Sequence, residues 1–371
     1  MQDLAFSLCD ELGPAKIVHV HEPGIGLRGT LVVDNTAAGP SIGGLRMAPD
    51  VSTEECFRLA RAMTLKNAAA GLPHGGGKSV LYGDPRIPRE RKEELIRAFA
   101  CALRGCDDYI FGPDMGTDET AMAWVRDEIG RAVGLPRELG GIPLDELGAT
   151  GFGLRHAAEV AARHVGIPLA GARVVVQGFG SVGLHASRFL VEQGARIVAA
   201  SDSAGAIADP AGLDVAALAE LKRAGKSVAE HSSGTRISPE ELVGVECEIW
   251  IPAARPDVID AKNAPRLRAK LVIAGANIPI TAEAERMLHE RGVVCVPDFI
   301  ANAGGVICAA MEYRGATQSA AFEAIAERIR ANTAAVLESA SRKQVLPRQA
   351  AVELARERVA RAMATRRWSI F

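Results

Sequence analysis

A continuous β-branched run, Arg173–Gln177, leads directly into Gly178-Phe179-Gly180-Ser181-Val182-Gly183, and a helical stretch to about residue 193 follows. No other feature restricts the fold of this chain so tightly. Three consecutive valines in so short a strand call for burial on both faces, as in a parallel sheet. The spaced glycines permit a tight turn, close approach of a pyrophosphate to the backbone, and close packing of the helix. The start of that helix adds amides and a positive dipole. Gly178, Phe179, Gly180, Ser181, Val182 and Gly183 are therefore read as a dinucleotide cradle. A second strand, expected at 196–200, runs toward Asp202, 19 residues after Gly183. That is the place where an acidic residue binds ribose hydroxyls. Its charge favours NAD, since it repels a 2′-phosphate and no Arg or Lys adjoins it in sequence. The flanking Ser201 and Ser203 leave NADP open.

Further strand-like runs at 248–251, 271–274 and 293–296 alternate with helical stretches, the βαβ grammar of a doubly wound sheet. Everything after Asn302 reads as helical. Upstream, a mixed α/β region carries a strand at 27–34, a helix that Thr53 would cap and that ends near Gly71, and another helix at 89–103. Gly and Pro crowd between Gly130 and Gly148, which marks a domain boundary. Length agrees with two domains: the chain has 371 residues, 48% of them hydrophobic and 24% charged. A net charge of -2 gives no general attraction to nucleic acid or anionic membrane. The apolar stretches fall short of the ~20 residues of a membrane span. The first twelve residues carry Asp3, Asp10 and Glu11 without a basic cluster, unlike a signal peptide. Seven cysteines with no CxxC pair point to reduced thiols in the cytoplasm rather than to zinc.

The segment from Met63 to Ser79 holds Lys66 and Lys78 around Gly71-Leu72-Pro73-His74-Gly75-Gly76-Gly77. Only nine of the 43 basic residues are lysine, so two so close together hint at sites that need an amine. Gly77-Lys78-Ser79 is not a P-loop, because Leu72 stands where that motif needs glycine and a helix, not a strand, comes before it. Two surface lysines beside a glycine turn is the plain alternative. Two lysines converging on a cleft is the chemical one, since an amine near another cation and away from water becomes a base near neutral pH.

This segment resembles the active-site signature of the glutamate/leucine/phenylalanine/valine dehydrogenase family. Gly43-Gly44-Leu45-Arg46, Gly112-Pro113-Asp114-Met115-Gly116-Thr117, Ala149-Thr150-Gly151, Gly275-Ala276-Asn277 and 297–305 resemble the family in the same order. The resemblance spans about 25–365. It implies an α/β fold: a substrate-binding and oligomerisation domain over 1–145, a Rossmann-type domain over 146–325, and C-terminal helices over 326–371 packing back toward the first domain. It also implies reversible, NAD(P)-dependent oxidative deamination of an L-amino acid to a 2-oxo acid and ammonia by a homo-oligomer. Lys78 would be the catalytic lysine, Asp114 its proton-shuttling partner, and Lys66 the partner of the substrate carboxylate. Thr150 and Asn277 would hold the nicotinamide and the substrate face, with Asn302 on the hinge-side loop. Without the family, Asp114 reads equally as a turn residue and Asn277 as a cap.

Glutamate-type members place a lysine just before the Gly-Gly pair and a hydroxyl at the position of Ala309. Here Ile42 stands in the first place, and both carboxylate partners are missing. Ile42, Gly112, Val306 and Ala309 are expected to form an apolar, uncrowded side-chain pocket of the phenylalanine or leucine/valine type, with Gly43 and Gly44 also at the substrate. Ile42 and Val306 as ordinary core residues is the alternative. The regions around Thr150 and Asp202 look more glutamate-type, and a glutamate dehydrogenase or a catalytically silent nucleotide-binding subunit remain competing readings. His74 either perturbs Lys78 or caps the turn.

Overall fold

The computed structural model describes residues 6–365. It separates into two compact units, one of 1–143, 306–321 and 354–371 and the other of 144–305 and 322–353. The break at 143/144 falls inside the Gly/Pro-rich stretch. The later chain divides differently from the sequence expectation. Residues 306–321 join the first unit rather than the Rossmann domain, and the C-terminal helices are shared between the two units. Of the changes of unit after 302, the one at 305/306 falls on the Gly304-Gly305 pair, whereas those at 321/322 and 353/354 have no glycine to mark them.

The first unit is built on strands Lys16–Glu22 (β1), Leu27–Asn35 (β2), Ser41–Ala48 (β3), Gly76–Tyr82 (β4) and Tyr109–Pro113 (β5), in the order β1-β2-β4-β3-β5. β3 runs parallel to both β4 and β5, while β1 and β2 are antiparallel additions on the β4 side. One face buries Leu31, Leu45, Phe99, Phe111 and Val125. The helix Thr53–Ala69 packs on β4. Its cap is Ser52 rather than Thr53, with the Ser52 hydroxyl accepting from Glu55 N at 3.0 Å. Either hydroxyl residue serves as a cap in principle; the extended backbone at Ser52 decides it. Gly76 is required by this packing, because a Cβ there would lie 2.0 Å from the Thr64 backbone nitrogen.

The second unit holds Arg173–Gln177 (β6), Arg196–Asp202 (β7), Gly205–Ala208 (β8), Thr235–Ile237 (β9), Ile249–Pro252 (β10), Leu271–Ile273 (β11) and Val294–Val296 (β12). Among the described residues their order is β12-β11-β10-β6-β7-β8-β9. The chain leaves β6 toward β7 on one side and returns to β10 on the other. The carboxyl end of β6 is thus a topological switch point, where open parallel sheets bind ligands. Val174, Val175 and Val176 are fully buried, as the β-branched run requires. No helix of the described residues is long and apolar enough to cross a membrane.

Candidate functional site

In the first unit, β4, β3 and β5 set the chemistry side by side. Ile42 pairs with Gly76 and Leu45 with Ser79, which puts Gly44 beside Lys78; on its other side Gly44 pairs with Gly112. Lys78 is nearly buried, and its Nζ stands 2.5 Å from Asp114 Oδ2. Gly44 makes this contact possible. A Cβ on it would sit 2.7 Å from Asp114 Cβ and 3.1 Å from Lys78 Nζ. Gly43 has a separate reason, since its Cβ would lie 1.7 Å from the Gly77 carbonyl oxygen.

Arg46 was outside the sequence-derived site, yet its Nε reaches Asp114 Oδ2 at 3.1 Å while its Nη1 meets Glu55 at 2.6 Å. Burial pushes the Asp114 carboxyl up, but the Lys78 ammonium and the Arg46 guanidinium outweigh it and hold it below the usual carboxylate range. The immediate partner of Lys78 is therefore the Asp114 carboxylate, with the Arg46 guanidinium on the same oxygen. Thr117 fixes the turn that presents Asp114: its hydroxyl accepts from Asp114 N at 3.0 Å and donates to the Leu45 carbonyl at 2.7 Å.

Lys66 lies half-buried in the last turn of the helix packed on β4. Ile42 is buried on β3. Gly112 has room for a methyl group, whose nearest neighbour would be Val133 Cγ2 at 3.5 Å. Val306 and Ala309 stand on the helix Gly304–Tyr313, half-buried and buried. That helix is tied down by Glu312, a second residue missed in the sequence. Its buried carboxylate accepts from Gly134 N at 2.8 Å, Leu135 N at 3.1 Å and Ile142 N at 2.9 Å. One acid in so apolar a helix was the available signal. His74 is buried, with Nδ1 3.0 Å from the Pro40 carbonyl and its ring edge-on to Tyr313, so it braces the turn.

In the second unit a cavity of about 830 Å³ opens at the switch point, lined by Gly178, Phe179, Gly180, Asp202, Ser203 and Lys222 among others. Gly178 adopts φ +95°, a conformation that favours glycine, and a Cβ on Gly183 would strike the Gly178 carbonyl at 2.0 Å. Nothing lies within 4 Å of the Cβ position on Gly180, so a ligand can approach the backbone there. The helix Ser181–Val191 starts at that glycine with no side-chain cap, which suits a pyrophosphate. Val182 sits in its first turn, and the Ser181 hydroxyl donates to the Asp145 carbonyl at 3.1 Å. These residues fit a dinucleotide.

Asp202 is in place but not free of basic neighbours. The helix Val215–Arg223 folds back and sets Lys222 Nζ 2.8 Å from Oδ2; Ser227 Oγ, Ala204 N and Val228 N donate to the same carboxylate at 2.9, 3.0 and 3.0 Å. Burial raises its pKa, but Lys222 and the other donors prevail and lower it to about 2. No Arg or Lys adjoins Asp202 in sequence, but a cation does attend it in the fold. Lys222 stands twenty residues further on, and only the fold brings it back.

Asn302 is buried, and its Nδ2 donates to Asn277 Oδ1 at 3.0 Å and to the Gly275 carbonyl at 3.2 Å. It holds Asn277 in place. The following glycines let this segment lie against the helix Ala149–His164. A Cβ on Gly304 would lie 2.1 Å from the Ala149 carbonyl, and one on Gly305 would lie 3.3 Å from Thr150 Oγ1.

A doubly wound unit with a dinucleotide cradle, joined in one chain to an α/β unit bearing a buried lysine paired with an aspartate, is the make-up of a nucleotide-dependent dehydrogenase. Residues 140–367 match the family model for glutamate/leucine/phenylalanine/valine dehydrogenase, and residues 14–131 match that for the Glu/Leu/Phe/Val dehydrogenase dimerisation domain. The chain belongs to this family. It is 38% identical over 358 residues to a glutamate dehydrogenase of Aeropyrum pernix, covering 90% of this chain and 85% of that one. The hetero-hexameric glutamate dehydrogenase of Thermus thermophilus, in a Leu-bound form, is similar in structure with a TM-score of 0.84 at 32% identity, covering 96% and 91% of the two chains. The L-tryptophan dehydrogenase of Nostoc punctiforme gives a TM-score of 0.74 at 26% identity, covering 95% and 98%.

Proposed function

We propose that this chain is an NAD(P)-dependent L-amino-acid dehydrogenase that reversibly deaminates substrates with apolar side chains, of the phenylalanine or leucine/valine type, to 2-oxo acids and ammonia. The observation that carries the reaction is the contact of the buried Lys78 with the half-buried Asp114 at 2.5 Å. Bound nicotinamide supplies the hydride acceptor. Lys66 binds the substrate carboxylate with a point charge. Lys78 places water at the imino carbon left after hydride departure, and Asp114 exchanges the protons that water addition and ammonia loss require. Burial of the Lys78 side chain keeps bulk water from competing for those protons. In the second unit the Gly178–Gly183 turn holds the pyrophosphate, Asp202 and Ser203 the adenosine ribose, and Thr150 and Asn277 the nicotinamide end.

The substrate reading rests on Ile42 and Ala309. An L-glutamate side chain set against them loses its water without gaining a cation or hydroxyl, which costs on the order of several kcal/mol. Gly112 leaves space for a larger apolar group. The competing reading is glutamate, favoured by the 38% identical Aeropyrum pernix enzyme. The intact Lys78–Asp114 pair speaks against a silent subunit. For the cofactor we favour NAD, with NADP accepted because Lys222 offers an ammonium next to Asp202 and Ser203. The match of 14–131 to a dimerisation domain supports a homo-oligomer, and seven cysteines outside any disulfide suit the reducing cytoplasm.

Initial rates with a panel of L-amino acids and both nicotinamide cofactors test the proposal. Fastest turnover on leucine or phenylalanine supports it. Fastest turnover on glutamate moves the chain to the competing reading, and no turnover on any amino acid favours the silent subunit.

A further inference from the structure

The loop that carries Asn277 is held in an unfavourable shape. Ile278 has φ +47°, in the left-handed region where a β-branched residue is an outlier. Its side chain is 57% exposed, so burial of apolar surface does not offset the strain. Such a conformation persists only where surrounding contacts over-determine it. Two contacts do so at Ile278. Its N–H donates to Asp298 Oδ2 at 3.0 Å, and its carbonyl accepts from Asp257 N at 3.0 Å.

Asp298 is itself fixed by a cation. Arg348, at the start of the helix Pro347–Thr365, sets Nη1 2.9 Å from Asp298 Oδ1 and Nε 2.8 Å from Glu285 Oε2. Its guanidinium also stands 5.9 Å from the centre of the Phe299 ring. Both carboxylates are buried. Without Arg348 two negative charges would be left in the interior with no cation between them, and Asp298 would lose its fixed orientation.

We propose that Arg348 is a positioning residue for the reaction. It acts through Asp298 to keep Ile278 in its strained conformation and thereby sets the place of Asn277. The inference rests on the reading that Asn277 contacts the nicotinamide and the substrate face. Arg348 touches neither. Its guanidinium orients a carboxylate, the carboxylate holds a peptide N–H, and that peptide bond adjoins the asparagine. The asparagine's own amide is anchored from the other side by Asn302.

A kinetic double-mutant cycle tests this, with Arg348→Ala, Asn277→Ala and the double variant measured at saturating amino acid and cofactor. Arg348→Ala is expected to lower kcat about tenfold or more, while NADH affinity by fluorescence titration stays within about twofold. The double variant is expected to be no slower than Asn277→Ala alone, since both changes remove the same contact. Adding Ile278→Gly to Arg348→Ala should recover most of the lost kcat, because glycine adopts φ +47° without the carboxylate's help. A merely structural arginine would show neither the non-additivity nor the rescue. If the two losses multiply, or Ile278→Gly restores nothing, the inference is overturned while the site reading stands. If Asn277→Ala is itself silent, the site reading fails and takes the inference with it. Should Arg348→Ala not fold, Arg348→Lys serves in the same cycle, because a lysine keeps the charge but loses the fork that bridges the two acids.

Discussion

Each unit of the molecule contains a lysine–aspartate pair, and the two are built in opposite ways. In the first unit the lysine is the hidden partner: the Lys78 side chain is 8% exposed and that of Asp114 21%. In the second unit the aspartate is hidden, at 7% for Asp202 against 33% for Lys222. Asp202 accepts from four donors and acts as a fixed charge. Asp114 is held at Oδ2 by two cations, Arg46 and Lys78, and keeps partial exposure. A buried lysine beside a partly open carboxylate suits proton transfer. A buried carboxylate beside an open lysine suits recognition of a ribose or of its phosphate. The chemistry of a Lys–Asp pair therefore depends on which partner keeps access to water and ligand.

The largest expected effect breaks the first pair. Lys78→Ala should lower kcat by about 10³-fold or more, as loss of a general acid–base does, with NADH binding unchanged in a fluorescence titration. Near-normal kcat would remove the catalytic assignment. Gly44→Ala comes next. It leaves both side chains present but pushes a methyl group into the 2.7 and 3.1 Å contacts with Asp114 and Lys78. A displacement of that size should cost about 10²-fold in kcat, and circular dichroism should show a folded protein. Rates equal to wild type would mean that the pair need not touch.

The second pair is probed by cofactor choice. Asp202→Ala should weaken NAD roughly tenfold and NADP less, whereas Lys222→Ala should weaken NADP more than NAD. Equal losses for both cofactors would reduce Asp202 to a support of its turn. The smallest effect concerns stability. The folded pKa of Asp202, about 2, lies below its ordinary 3.8, so its contribution is fully present above pH ~4 and is lost as pH falls through ~2. Urea unfolding of wild type and Asp202→Asn should differ by on the order of 1–2 kcal/mol near pH 6, after solvent screening, and converge near pH 2. A difference that persists at pH 2 would show that the charge is not its source.

These contrasts also mark how much was legible in the chain. The β6 strand, its glycine turn and the helix after it follow from adjacent residues, and their limits lie within two residues of expectation. Asp202 was placed by spacing alone. Its partner Lys222 was not, because a whole helix must fold back before the two meet. Lys78 and Asp114 stand 36 residues apart and were joined only through the family resemblance. Glu312 and Arg348 gave still less warning: Glu312 is the one charge of its helix and Arg348 one of several in its own, and the meaning of each lies in backbone amides or carboxylates of distant segments. The division of the C-terminal helices between the units was equally hidden, since contacts and not composition decide it.

Selection of the substrate by an apolar pocket is read from kcat/KM for leucine and for glutamate, in wild type and in Ile42→Lys. Wild type is expected to prefer leucine by about 10²-fold, or ~3 kcal/mol of differential transition-state binding. Ile42→Lys should move the ratio toward glutamate only in part, because Ala309 still lacks a hydroxyl. A wild type fastest on glutamate, or a lysine variant that changes both substrates alike, would contradict it.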